Sequence, residues 1–247
     1  MQFSEDGAQL VCDSHWLGGY AQLMMSMALL DVSWDLSKDV LVLDIGCGNG
    51  SKTEALRRMG VKTLGLERDK NRLVGASERF SKVQYCCADG SVLPIQSGKF
   101  DMVFSFSVFQ YLNWQKTVQE CYRVLKPGGV AIFIENLSGS PLAKAYRLAH
   151  RLRKWHHLDY QTPVRHLQWQ EIANIQKVFP RVNVEPFHLL TPLLLVHPIL
   201  KYRLLKQLPT SPPKQKLEQL HLWDRKLLRL FPKLSRFCWN VVIRAQR

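Results

Sequence analysis

Residues 41–53 read "LVLDIGCGNGSKT", an apolar run that ends at Asp44 and is followed by Gly46, Gly48 and Gly50 at alternate positions. Glycines in a turn let the backbone bend sharply and come close to a ligand. Two phosphate-binding turns fail to fit. A phosphate loop needs G-x-x-x-x-G-K-[ST], and here Lys52 follows Ser51 rather than a glycine. A dinucleotide turn needs G-x-G-x-x-G, and here Gly50 falls one position early, with Ser51 in the place of the last glycine. Two further acids end apolar runs downstream. Glu67 closes "KTLGLE", about 20 residues past the glycines, where a carboxylate can bind ribose hydroxyls. Asp89, followed by Gly90, closes "KVQYCCAD".

The elements that must position these residues follow from hydrophobic periodicity. Trp16, Tyr20, Leu23, Met24, Met27 and Leu30 recur at helical spacing and predict a leading helix over 15–31. Apolar runs at 40–46, 62–68, 82–89, 100–108 and 130–136 predict five strands, and helical patterns separate several of them. Gly60 stops the first of these helices and "PGG" stops the helix over 114–126. A helix over 167–179 and strands over 181–190 and 238–246 complete the pattern. Strands that are apolar throughout, alternating with amphipathic helices, imply a mostly parallel sheet covered on both faces. The fold class is therefore α/β, doubly wound, with seven strands. At the carboxyl edge of such a sheet the turn after the first strand is where ligands bind.

Charge divides the chain. Residues 1–140 hold 14 Lys+Arg and 15 Asp+Glu, whereas residues 141–247 hold 20 and 5, a net of +15. A basic half points to an anionic partner, such as a membrane surface, nucleic acid or phosphorylated substrate, or to a solvated basic surface. Two segments carry most of the charge, 137–166 and 191–236. In the first, Leu142, Tyr146, Ala149, Leu152 and Trp155 share a helical face among Lys144, Arg147, Arg151 and Lys154. In the second, Leu217, Leu220, Trp223, Leu227 and Leu230 recur beside Arg225, Lys226 and Arg229.

The six cysteines form no C-x-x-C pair and no zinc spacing, so no metal is expected. Cys86 and Cys87 read as buried small thiols in a strand, in keeping with a reducing cytosol. "MQFSEDGAQL" lacks the layout of a signal peptide, and the apolar stretch 189–200 is too short to span a bilayer. A cytoplasmic protein, peripheral at a membrane surface in one reading, is expected.

The spacing D-x-G-x-G-x-G over Asp44–Gly50 resembles motif I of the class I S-adenosylmethionine-dependent methyltransferases. "LGLERD", "CCADGSVLPIQSGKFDMVFS" and "RVLKPGGVAIFIE" resemble that family's later blocks, in order, over residues 40–136. The resemblance implies a Rossmann-like methyltransferase fold and S-adenosyl-L-methionine as cofactor. The chain is read as one methyltransferase domain over 1–247, with 32–136 as the cofactor-binding core and 137–166 and 191–236 as basic helical inserts, each too short to bury a core of its own. By the same resemblance Gly46, Cys47, Gly48 and Gly50 form the floor beneath the cofactor. Asp44 holds the loop or the cofactor's amino group. Glu67, with Arg68 beside it, takes the ribose hydroxyls. Asp89, with Gly90 beside it, accepts from the adenine amino group, and Ser107 lines the methionine side. No catalytic residue stands out. His15, Tyr20, Gln110, Tyr111, Glu135, His156 and His157 could reach a substrate space in such a fold.

Within the family the blocks look most like the small-molecule branch that includes the ubiquinone and menaquinone methyltransferases, although Gln110 stands where that branch often shows a histidine. The expected acceptor is small or amphiphilic, quinone-like or lipid-linked. The basic inserts, with Trp155 and Trp223, suit contact with an anionic membrane, or else pack on the sheet with their charges solvated. The alternative is an RNA methyltransferase whose basic half binds phosphates. Against it, the aromatics form no stacking platform and no separate RNA-binding module is visible. The sequence does not assign an oligomeric state.

Overall fold

The computed structural model describes residues 18–30, 39–152, 165–191 and 214–247. Seven strands form one sheet in the order β3-β2-β1-β4-β5-β7-β6. They are β1 (Leu41–Ile45), β2 (Lys62–Glu67), β3 (Gln84–Cys87), β4 (Phe100–Phe106), β5 (Leu125–Asn136), β6 (Arg181–Phe187) and β7 (Asn240–Gln246). Only β7 runs antiparallel to its neighbours, β5 and β6. Strand order reverses between β1 and β4, and Asp44 lies there, opposite Gly65 on one side and Phe104 on the other. That crevice is where open α/β sheets bind ligands.

The helices are α1 (Gly18–Leu30), α2 (Ser51–Arg57), α3 (Lys70–Arg79), α4 (Trp114–Val124), α5 (Pro141–Leu152), α6 (Ile172–Val178) and α7 (Lys214–Leu230). Asp69 caps α3 by accepting from the amides of Asn71 and Arg72, and Asn113 caps α4 by accepting from Lys116. Side chains alternate across each central strand. Leu43, Ile45, Val103 and Phe133 face one core with α4 and α6. Val42, Phe104 and Ile132 face the other, with Met24 and Met25 of α1 and Leu56 of α2.

Four sequence expectations are corrected. In α1 the buried side chains include Met25, Ala28 and Leu29, while Met27 is only half-buried. This helix is apolar nearly all round, so its periodicity marks the inner face poorly. "PGG" lies inside β5, which begins at Leu125 and carries its extra residues as a bulge opposite Phe100 to Met102. Cys87 is exposed and Cys86 half-buried, because β3 is the sheet's edge strand. On α7 the inner face is Leu217, His221, Asp224 and Leu228, whereas Trp223 is 62% and Leu230 73% exposed. Two polar residues occupy that inner face, so apolar spacing marks it only through Leu217, with Leu220 and Leu227 half-buried beside it. The expected Tyr146, Ala149, Leu152 and Trp155 stripe lies outside the described side chains; Leu142 is half-buried and Leu148 exposed.

Candidate functional site

The loop after β1 is fixed from three sides. The amides of Gly46 and Cys47 both donate to the carbonyl of Leu66 (2.7 and 3.0 Å), tying the loop's first turn to β2. The amide of Gly50 donates to Cys47 O, closing a tight turn into α2. Beneath the loop, Asp44 Oδ2 accepts from Thr53 Oγ1 at 2.6 Å. Asp44 is buried, and burial pushes its carboxyl up to about 7. The same burial raises the Cys47 thiol, so that sulfur is no nucleophile near neutral pH. Lys52, whose own pKa burial lowers, lies over the Phe106 ring at 4.6 Å.

Gly48 and Gly50 both have left-handed backbone, with φ of 55° and 76°, but they differ in surroundings. A Cβ on Gly50 would stand 2.5 Å from Tyr85 Oη. A Cβ on Gly48 would meet nothing within 4 Å. The loop therefore packs on the fold at Gly50 and leaves open space at Gly48.

The carboxylate of Glu67 reaches back from the end of β2. Its Oε2 accepts from Gly48 N at 3.1 Å, and its Oε1 accepts from the amides of Arg68 and Asp69 (2.8 and 3.0 Å). Arg68 contributes this amide, and its side chain is exposed. Past β3, Asp89 Oδ1 accepts from both the amide and the hydroxyl of Ser91, which hold its pKa below the usual carboxylate range. Gly90 is buried against Ile45, which a Cβ would meet at 2.8 Å. Past β4, Ser107 takes a left-handed φ of 57° and its amide donates to Ile134 O. Asp44, the glycine loop, Glu67, Asp89 and Ser107 thus gather at the carboxyl ends of β1 to β4.

Glu135 differs from the substrate-facing group named among the candidates. It is 2% exposed and accepts from the amides of Val108 and Phe109 and from Ser105 Oγ. Burial pushes its carboxyl up to about 8. It holds the turn after β4 from below. Gln110 donates from Nε2 to Ser107 O, and its Oε1 is buried without a hydrogen-bond partner. Tyr111 is partly exposed on the same turn. His15, the Tyr20 side chain, His156 and His157 lie outside the described residues. Sequence reasoning passed over Thr53, Asn136, His188 and Asn240, which carry buried and part-buried polar contacts around this edge. The position of Asn136 at the end of β5 was the one available signal.

Residues 43–133 match the model of the methyltransferase domain family. The matched stretch holds the glycine loop, Glu67, Asp89 and Ser107, and over it the chain is similar to a methyltransferase domain. The malonyl-[acyl-carrier protein] O-methyltransferase of Buchnera aphidicola subsp. Baizongia pistaciae is 36% identical over 112 residues, 44% of this chain and 45% of that protein. The mitochondrial ubiquinone biosynthesis O-methyltransferase of Rattus norvegicus is 32% identical over 111 residues, 41% and 32% of the two chains. The chain therefore spans less than half the length of these relatives. The structure of Haemonchus contortus phosphoethanolamine N-methyltransferase 2 in complex with S-adenosyl-L-methionine superimposes with a TM-score of 0.58 at 22% identity, covering 93% of this chain and 52% of that one. Both relatives act on small-molecule or carrier-linked acceptors by name, in line with the small-molecule branch of the methyltransferases. Among the described residues, no group of three His, Cys, Asp or Glu side chains could hold a metal, and no helix is long and apolar enough to cross a membrane.

Proposed function

We propose that this chain transfers a methyl group from S-adenosyl-L-methionine to a small or amphiphilic acceptor. The observation that carries the reading is the convergence of the open Gly48 position with the Glu67 carboxylate at the strand-order reversal. The residues fit the cofactor. Gly46, Cys47, Gly48 and Gly50 would form its floor, with Asp44 fixing the loop through Thr53. A carboxylate has about four acceptor positions, and three backbone amides already occupy Glu67. One ribose hydroxyl fits as the group stands; a second would share or displace an amide. Asp89 would accept from the adenine amino group, and Ser107 would line the methionine side.

When bound, the cofactor supplies a sulfonium methyl that is already activated. The chain's part is then to bind, to align the acceptor and to exclude water. We assign no catalytic base. Gln110 Oε1, buried and unsatisfied beside Ser107, is suited to accept a hydrogen from a ligand.

The finer reading of the acceptor is lipid-like, met at a membrane surface. Leu222, Trp223, Leu230 and Phe231 are exposed on and after α7, among Arg225, Lys226 and Arg229. An outward face of this composition suits an anionic bilayer. We read the segments 137–166 and 191–236 as inserts on a single domain, 1–247, whose core is 32–136. Incubation with methyl-labelled S-adenosylmethionine and a cell extract, split into lipid, RNA and protein fractions, tests the proposal. Label in the lipid or small-molecule fraction supports it. Label in RNA would favour the alternative in which the basic half binds phosphates, and no transfer to any fraction would count against methylation.

A further inference from the structure

Four polar side chains run in a line along the carboxyl edge of the sheet, from the tip of β4 to the end of β6. Asn136 Nδ2 donates to Ser107 Oγ at 3.2 Å. Asn240 Nδ2 donates to Asn136 Oδ1 at 2.8 Å. Asn240 Oδ1 lies 2.9 Å from His188 Nδ1. The sheet sets this spacing, because Asn240 is opposite Asn136 on β5 and opposite Phe187 on β6. Both ends of the line are held in an uncommon backbone conformation. Ser107 and His188, with φ of 57° and 63°, are the non-glycine residues of positive φ among those described. Such conformations persist only where the surroundings impose them, and they cluster at functional sites.

The line has a direction. An amide side chain has one accepting and one donating end, so each orientation dictates the next. Asn240 Oδ1 can only accept, so the hydrogen between it and His188 sits on Nδ1. Burial pushes His188 down to about 4, so the ring is neutral near pH 7 and carries its one hydrogen there. Each amide then hands its donor end toward Ser107. The Ser107 oxygen accepts from Asn136, and its own hydrogen is left for a group outside the line.

We infer that His188, Asn240 and Asn136 are positioning residues that fix the Ser107 hydroxyl as a donor toward the bound ligand. The group it selects is one that can only accept, the carboxylate of the cofactor's amino-acid end; this rests on the S-adenosylmethionine reading above. The acceptor-only variant Asn240→Asp reverses the line. It cannot donate to Asn136, so the Asn136 amide turns to donate to it, and Asn136 then takes the hydrogen of Ser107. The ligand is left facing lone pairs.

The test titrates the wild type, Asn240→Asp, Ser107→Gly and the double variant by calorimetry with two ligands. S-adenosylhomocysteine has the carboxylate, and 5′-methylthioadenosine lacks it. Glycine tolerates the left-handed backbone at position 107, so that variant removes the hydroxyl without new strain. Each single variant is expected to weaken S-adenosylhomocysteine about tenfold or more, the worth of one hydrogen bond to a charged group. Methylthioadenosine is expected to change less than about twofold, and Asn240→Asp is expected to add nothing in the Ser107→Gly background. Nitrogen NMR should show His188 as the Nδ1–H tautomer. An unchanged affinity in Asn240→Asp, an effect that persists without the Ser107 hydroxyl, or an Nε2–H tautomer overturns the inference. A wild type that binds neither ligand defeats the cofactor reading itself, and this inference with it.

Discussion

The Glu67 carboxylate accepts the amide of Gly48 at 3.1 Å, across 19 residues of chain. The end of β2 thereby holds the middle of the β1–α2 loop, and the same carboxylate turns its own chain through the amides of Arg68 and Asp69. The acid that ends β2 is therefore a part of the loop's architecture before any ligand arrives.

This relationship predicts a local effect in the ligand-free protein. In Glu67→Ala the amides of Gly48, Arg68 and Asp69 should exchange with solvent about tenfold faster or more, the worth of one hydrogen bond each. The amides of Gly46 and Cys47, which donate to Leu66 O, should keep their rates. Site-resolved hydrogen exchange by NMR reads both sets. Equal rates at Gly48 in the two proteins would contradict the tie.

Two alanine substitutions in one loop should have opposite consequences. Gly48→Ala places its methyl in open space, so it should fold, at a cost of about 1–2 kcal/mol for the left-handed backbone, and lose cofactor affinity. Gly50→Ala drives its methyl into Tyr85 Oη and should cost stability well beyond that. Thermal unfolding, paired with S-adenosylhomocysteine titration, separates the two. A Gly48→Ala protein that binds as well as the wild type would show that the open space is not where the ligand lies.

Stability should fall as pH rises above the acid range. Glu135 is raised from 4.5 to about 8 by burial, and Asp44 from 3.8 to about 7. In each window the folded chain keeps a proton that the unfolded chain has released. The folded state then binds more protons, so its stability declines with pH, by at most about 1.4 kcal/mol per unit for each group. The contribution is whole below the unfolded value and gone above the folded one. Between pH 7 and 8 Glu135 should dominate the decline. Denaturant titrations in that interval should show a shallower decline for Glu135→Gln than for the wild type, and parallel curves would refute the assignment.

The outward face of α7 makes a separate prediction. Trp223→Ser with Leu230→Ser alters two exposed side chains and should leave the melting temperature unchanged. It should weaken binding to vesicles rich in phosphatidylglycerol by about tenfold or more at low salt, from the lost apolar burial. Flotation of wild-type protein with no vesicle association would remove the membrane reading.

Much of the scaffold was legible because its signals are local. Apolar runs marked five of the seven strands, and the spacing of Asp44, Gly46, Gly48 and Gly50 marked the loop that the sheet places at its strand-order reversal. Glu67 was legible as the acid that ends β2. What escaped the sequence depends on partners that only the fold brings together. Glu135 reads as a candidate for the substrate space until the amides of Val108 and Phe109 stand over it. Asp224, outside every apolar pattern, is buried and accepts from the amides of Leu189 and Leu190 and the hydroxyl of Thr191. Asn136 and Asn240 are 104 residues apart and meet only through strand pairing. Polar residues satisfied by tertiary contacts leave no periodic trace.

The central claim, that the loop over Asp44–Gly50 and Glu67 form an S-adenosylmethionine site, is tested most directly by calorimetric titration of the wild type and Glu67→Ala with that molecule. The account predicts one site per chain in the wild type and an affinity at least about tenfold lower in the variant. Absence of binding to the wild type, or equal binding by both proteins, would contradict it.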